Sequence, residues 1–159
     1  MKVGRVTENA MKRSILRQIK TRRDEVIVGA GLGEDCAIFS FRNRMSAQVN
    51  PDEQASVMLS CVQEGVFPVD YLVQSCANIL VSRGGEPVAA AFSILLPLNA
   101  EEETLRHIMS GAETACAGLG MEIARAQGMV TAAVKEPFVT VTAYGMRASG
   151  VQNDSAGAA

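Results

Sequence analysis

The stretch "SRGGEPVAAAFSILLP", residues 82–97, puts a helix end, a reversal and a buried strand next to one another. Gly84 and Gly85 stop a helix, because glycine takes left-handed backbone without penalty. That helix runs back to about Pro68, with Val69, Leu72, Val73, Cys76 and Leu80 forming one apolar stripe. Proline suits a first helical turn, where its missing N–H has no partner to lose. After the glycines, "PVAAAFSILLP", 87–97, is apolar almost throughout and reads as a strand covered on both faces. A second helix follows. Asn99 is the expected N-cap, Glu102 stands three residues later, and Glu101 and Glu103 favour the positive end of the helix. Leu105, Ile108, Met109, Ala112, Cys116 and Leu119 make its apolar stripe, and Gly118 and Gly120 end it.

The same reading extends to both termini. Thr7 caps an expected helix to about residue 20, with Met11, Ile15, Leu16 and Ile19 on one face. Val26 to Val28 form a short strand. "DCAIFSF", 35–41, and "ASVMLSCVQ", 55–63, read as buried strands, with a loop and a weak strand at 45–49 between them. "MEIARAQGMV", 121–130, reads as a short strand and loop. "PFVTVTAYGM", 137–146, alternates Val139, Val141 and Ala143 with Thr140 and Thr142, the pattern of a half-buried strand. The tail from 148 to 159 is small and polar, and disorder is expected there. The order helix, strand, strand, helix, strand, helix, strand implies an α+β domain over residues 1–147. Its mixed or antiparallel sheet has about four main strands, with helices on one face.

Bulk properties exclude several functions. With 159 residues, 48% apolar and 20% charged, the chain fits one globular domain. A formal net charge of −2 gives no electrostatic basis for binding nucleic acid or a membrane surface. No apolar run approaches the roughly 20 residues that cross a bilayer, and "MKVGRVTENAMKRS" lacks a signal-peptide core. Cys36, Cys61, Cys76 and Cys116 lie apart in apolar segments and read as reduced core residues, which implies a cytoplasmic protein. His107 is the only histidine, so neither a zinc site of usual ligand count nor a catalytic triad is supported. Lys20, Arg22 and Arg23 form a basic cluster that fits either a solvated face or a phosphate contact.

Four stretches resemble a known family: "GLGEDCAIF", "MLSCVQEGVFPVDY", "CANILVSRGGEPVAAAFSILLP" and "GMEIARAQGMVTAAVKEPFVTVTAYG". They are similar to the N-terminal domain shared by aminoimidazole ribonucleotide synthetase, selenophosphate synthetase, thiamine-monophosphate kinase and the hydrogenase-maturation dehydratase. The resemblance implies ATP-dependent enzymes that activate a substrate oxygen by phosphorylation. It further implies N-terminal domains that dimerise through their strands into a shared barrel, with ATP and Mg²⁺ in the adjoining cleft. Acidic residues hold the metal there, and a C-terminal domain closes the cleft.

Departures from the family pattern lie at the site. The aspartate of its Thr-Asp pair falls at about Ser60, beside Cys61, and Val66 runs into Phe67 with no histidine between them. Ile79 stands where the aspartate of Asn-Asp is found, although Asn78 remains. Arg125, Ala126 and Gln127 replace a Gly-Gly-x-Thr/Glu turn, and Ala132 stands where many relatives carry an acid. The C-terminal domain has no counterpart in the sequence. Mg²⁺ requires oxygen ligands, and phosphoryl transfer depends on the cations that neutralise developing charge. On this resemblance Glu34, Asp35 and Asn78 are the candidate nucleotide-binding residues and Asp35 the candidate metal ligand. Glu64 fits either a leftover ligand or a solvated turn residue. The turn "GAGLGE" matches neither a dinucleotide fingerprint nor a P-loop. Arg125 is expected to pair with Asp35 and fill the site internally. These features imply a homodimeric scaffold, or a regulatory partner of a full-length relative, with a degenerate ATP and Mg²⁺ site. The alternative is an ATP-dependent phosphotransfer enzyme that works with a partner chain.

Overall fold

The computed structural model of the protein describes residues 1–41 and 56–148. The weak strand expected at 45–49 lies outside them, as does the tail beyond Ala148, which itself closes a strand. The scaffold is two consecutive strand–helix–strand units. β4 (Ser56–Gly65) leads through α2 (Val69–Ser82) to β5 (Glu86–Leu96), and β5 leads through α3 (Glu102–Gly118) to β6 (Glu122–Val130). β5 and β6 pair in parallel, and β7 (Phe138–Ala148) inserts antiparallel between β5 and β4. A two-residue β1 (Gly4–Arg5) extends the β6 edge, giving the order β1-β6-β5-β7-β4. The sheet is therefore mixed and five-stranded, in agreement with the α+β expectation.

Both crossover helices pack on the same face. Successive strand residues point to opposite sides, so Ala90, Phe92, Ile94 and Leu96 of β5 and Val139, Val141 and Ala143 of β7 turn towards the helices. There they meet Leu72, Val73, Cys76 and Leu80 of α2 and Leu105, Met109, Ala112 and Cys116 of α3 in one core. Each large side chain buried there contributes about 1.5–3 kcal/mol. Both helices end as the glycines imply. Gly84 has φ +75°, and the N–H groups of Gly84 and Gly85 donate to Val81 and Leu80 carbonyls at 2.9 Å. Gly120, at φ +68°, ends α3 in the same way, with the Met121 N–H on the Cys116 carbonyl at 2.9 Å.

Thr7 caps the first helix by accepting from the Ala10 N–H at 3.3 Å. Regular α-helix covers only Glu8–Ala10 (α1). The chain then widens into a π-type turn over Met11–Ile15 and tightens to 3₁₀ geometry over Leu16–Gln18. Ile15 and Ile19 still reach the core.

Several expectations are corrected. "DCAIFSF" is no strand of the main sheet. Only Ile38–Phe39 (β3) is extended, paired with Val26–Val28 (β2) in a separate two-stranded piece, and Ile38 is exposed. β4 is not buried on both sides, because Met58 and Val62 lie exposed on the face away from the helices, and among the described residues it forms the sheet edge. Residues 121–130 are a full strand. Arg125 and Gln127 broke its apolar pattern because they lie on the face away from the helices. Cys36 is exposed, whereas burial pushes the Cys76 and Cys116 thiols up to about 12. Asn99 does not cap α3. Glu101 holds the N-cap position with no side-chain bond, and Glu102 turns instead to the first helix.

Glu102 accepts from Arg13 Nη2 at 2.9 Å and from the Ser14 hydroxyl at 2.7 Å. These bonds hold its carboxyl down at about 2, against an ordinary value of 4.5. A depressed carboxylate stabilises the fold above its unfolded value and loses that contribution as pH falls through the folded one. Thermal melts should therefore show wild type losing its advantage over Glu102→Gln between about pH 4.5 and about pH 2. An advantage that does not change with pH would rule out this linkage.

Candidate functional site

The glycine-rich turn joins β2 to β3. Gly33 has φ +75°, a conformation that favours glycine, and the Glu34 N–H closes the turn on the Gly31 carbonyl at 3.4 Å. β3 holds the turn against the sheet. Phe39 packs on Tyr144 with ring centroids 5.1 Å apart, and Ala37 packs beside Val88, Ala89 and Ala124. Tyr144 follows Ala143, which faces the helices, so the turn sits over the opposite, open face of the sheet.

Arg125 rises from β6 on that open face. Its Nη1 donates to the Glu34 main-chain carbonyl at 2.5 Å. The expected guanidinium partner, the Asp35 carboxylate, forms no ion pair with it among the described residues. Arg125 thus clasps the turn through its backbone, while the Glu34 and Asp35 side chains remain exposed. The clasp is one exposed hydrogen bond, worth about 1 kcal/mol. Arg125→Ala should leave global melting nearly unchanged and speed amide exchange over residues 31–36 by about fivefold. Unchanged exchange would mean that the clasp does not order the turn.

Asn78 is not part of this site. It lies on the solvent side of α2, accepting from Gln74 Nε2 at 3.1 Å, and α2 covers the other face of the sheet. Ile79 is on α2 as well, and Ala132 is exposed in the loop after β6. Ser60 is on the open face beside Tyr144, whereas Cys61 turns to the helices and meets the Cys76 carbonyl at 3.5 Å. Glu64 accepts from the Thr140 hydroxyl across the strand pair at 3.3 Å. Only Glu34, Asp35 and Arg125 come together. Among the described residues no group of three or more His, Cys, Asp or Glu could hold a metal ion. Mg²⁺ takes six oxygen ligands and shares carboxylates with nucleotide phosphates, so two exposed carboxylates beside a guanidinium do not fit such a centre by themselves.

The basic cluster proves structural at Arg23. Its guanidinium makes two 3.0 Å bonds to the buried Glu25, one of 3.0 Å to Glu86 and one of 3.1 Å to the Gly120 carbonyl. The Arg23 N–H donates to the buried Glu122 at 2.6 Å. These bonds fasten the chain entering β2 to the ends of β5 and β6.

Sequence reasoning missed a groove of about 800 Å³ on the helix side, between the start of α2, α3 and the loop 131–137. Its signal was available as the stripe Thr104, Ile108, Gly111 and Ala115, at helical spacing beside the core stripe of α3. Among the described residues no helix is long and apolar enough to cross a membrane.

Residues 33–147 match the family described as AIR synthase related protein, N-terminal domain. No curated protein matches the sequence. Solved structures with the same fold include hydrogenase maturation protein HypE in complex with ATP, at 15% identity and TM-score 0.65, covering 86% of this chain and 38% of that one. HypE from E. coli matches at 14% identity and TM-score 0.67, covering 91% and 44%. Thiamine-monophosphate kinase from Stenotrophomonas maltophilia matches at 17% identity and TM-score 0.60, covering 92% and 44%. The chain spans less than half the length of these structures, 38% to 44%.

Proposed function

The chain belongs to the AIR synthase related family through the N-terminal domain of that family, and on that premise we propose that it is a non-catalytic homodimeric module, a scaffold or regulatory partner with a degenerate nucleotide site. One observation carries the reading: the turn retains only Glu34 and Asp35 as acids, and the residue placed against it is the cation Arg125. A guanidinium beside the turn opposes the gathering of a divalent cation, although it is compatible with a phosphate. Catalysis of phosphoryl transfer needs several positioned positive charges around the transferring group.

The dimer half of the reading rests on β4. Among the described residues this ten-residue edge strand has no neighbour on its outer side in the sheet, and it carries exposed Met58 and Val62. Long apolar edges are aggregation hazards unless paired or covered. Antiparallel pairing of two β4 edges about a two-fold axis would cover both at once. Sedimentation at micromolar concentration should give a particle of two chains, with no ATP turnover in a coupled assay. A monomer, or steady hydrolysis, would count against the proposal.

The second reading is ATP-dependent phosphotransfer with a partner chain that supplies the absent ligands. It is favoured by the open exposure of the Glu34 and Asp35 carboxylates, and by the ATP bound in one solved HypE structure.

A further inference from the structure

We propose that the groove between the start of α2, α3 and the loop 131–137 binds a small organic cation, with an apolar or aromatic body against the groove wall and an ammonium group at its acidic rim. The site is separate from the glycine turn. Val139, which faces the helix-side core, lines the groove, whereas the turn lies over the opposite face of the sheet.

The wall is apolar, with Val69, Ile108, Ala115 and Pro137. At about 800 Å³ it falls within the range of small-molecule sites, roughly 300–1,000 Å³. Gly111 keeps the floor open, since a Cβ there would stand 3.1 Å from Val69 Cγ1. Phe67 lines the groove and packs against Tyr71 at 5.4 Å, and both rings are more than half exposed. The two exposed aromatic rings offer faces on which a cation at the groove can rest.

Charge selects the class of ligand. Among the described residues, the ionisable ones that line the groove are Asp70, Glu136 and His107, with no lysine or arginine. Their side chains make no hydrogen bond or ion pair with other described residues, so they are free to meet a ligand. Asp70 stands in the first turn of α2 and already offsets the positive end of that helix, which would otherwise draw an anion. Two carboxylates beside exposed aromatic faces favour an ammonium through charge-assisted hydrogen bonds and cation–π attraction.

The test uses phenethylammonium and 3-phenylpropionate, which present a similar body with opposite charge. Each is titrated into ¹⁵N-labelled chain. The cation should give saturable shifts at the amides of 69–71 and 104–115, with the anion binding at least about tenfold more weakly. The Asp70→Asn/Glu136→Gln double variant changes two exposed positions without changing volume, so it should fold normally and lose the preference. Equal binding of both probes, shifts confined to other regions, or no saturable shift with either probe would overturn the proposal. So would a folded double variant that keeps the preference.

Discussion

Replacing Arg23 with alanine is expected to cost about 3 kcal/mol of folding stability, the scale for stripping one partner from a buried ion pair. The guanidinium supplies two charge-assisted hydrogen bonds to Glu25, which is 3% exposed, and one each to Glu86 and the Gly120 carbonyl. Without it, a carboxylate taken out of water loses two charge-assisted hydrogen bonds that offset its desolvation. For a chain of this size the melting temperature should fall by about 10 °C. Arg22→Ala is the matched control. Its side chain is 65% exposed and makes one 3.3 Å bond to Glu122, which keeps the 2.6 Å bond from the Arg23 N–H, so the loss should be smaller, about 1 kcal/mol. Equal losses in the two variants would show that Arg23 acts as a surface charge.

The second large effect concerns the β4 edge. Val62→Lys should turn the proposed dimer into a monomer at micromolar concentration, raising the dissociation constant by about a hundredfold or more. Val62 is half exposed, pairs with Thr142 across the strand ladder and stands two residues from the exposed Ser60 on the open face. In a two-fold interface every substitution enters twice, so the change would bring two ammonium groups into an apolar contact. The monomer itself should melt as wild type does at high dilution, because position 62 makes no core contact. A dimer that survives this change would place the interface elsewhere or remove it.

Much of the fold was legible in the sequence because its signals were local. Gly84 and Gly120 stop their helices through their own backbone conformation, and the α2 stripe from Val69 to Leu80 lands in the core as its spacing implies. The failures were tertiary. Asn99 has the right chemistry for a cap, but Glu102, which a capping box would use, is taken by Arg13 and Ser14, far away in sequence. The apolar run 35–41 resembles a core strand, yet most of it belongs to a small hairpin draped over the sheet. β6 was underread because Arg125 and Gln127 interrupt it, and their polarity makes sense only once one face of the sheet is left open.

The candidate site was legible in part. Glu34 and Asp35 are placed together by their adjacency, and the pull of Arg125 towards them could be inferred. That the contact uses the Glu34 carbonyl rather than Asp35 depends on the φ of Gly33 and the lie of the turn, which residue types do not encode. Asn78 was linked to the pair by resemblance alone, and the sheet separates them.

Calorimetric titration of the chain with Mg-ATP addresses the central claim, that two exposed carboxylates and a clasping arginine cannot gather a magnesium nucleotide. No saturable heat is expected up to about 1 mM nucleotide. A one-to-one isotherm in the micromolar range, lost in Asp35→Ala, would contradict the claim.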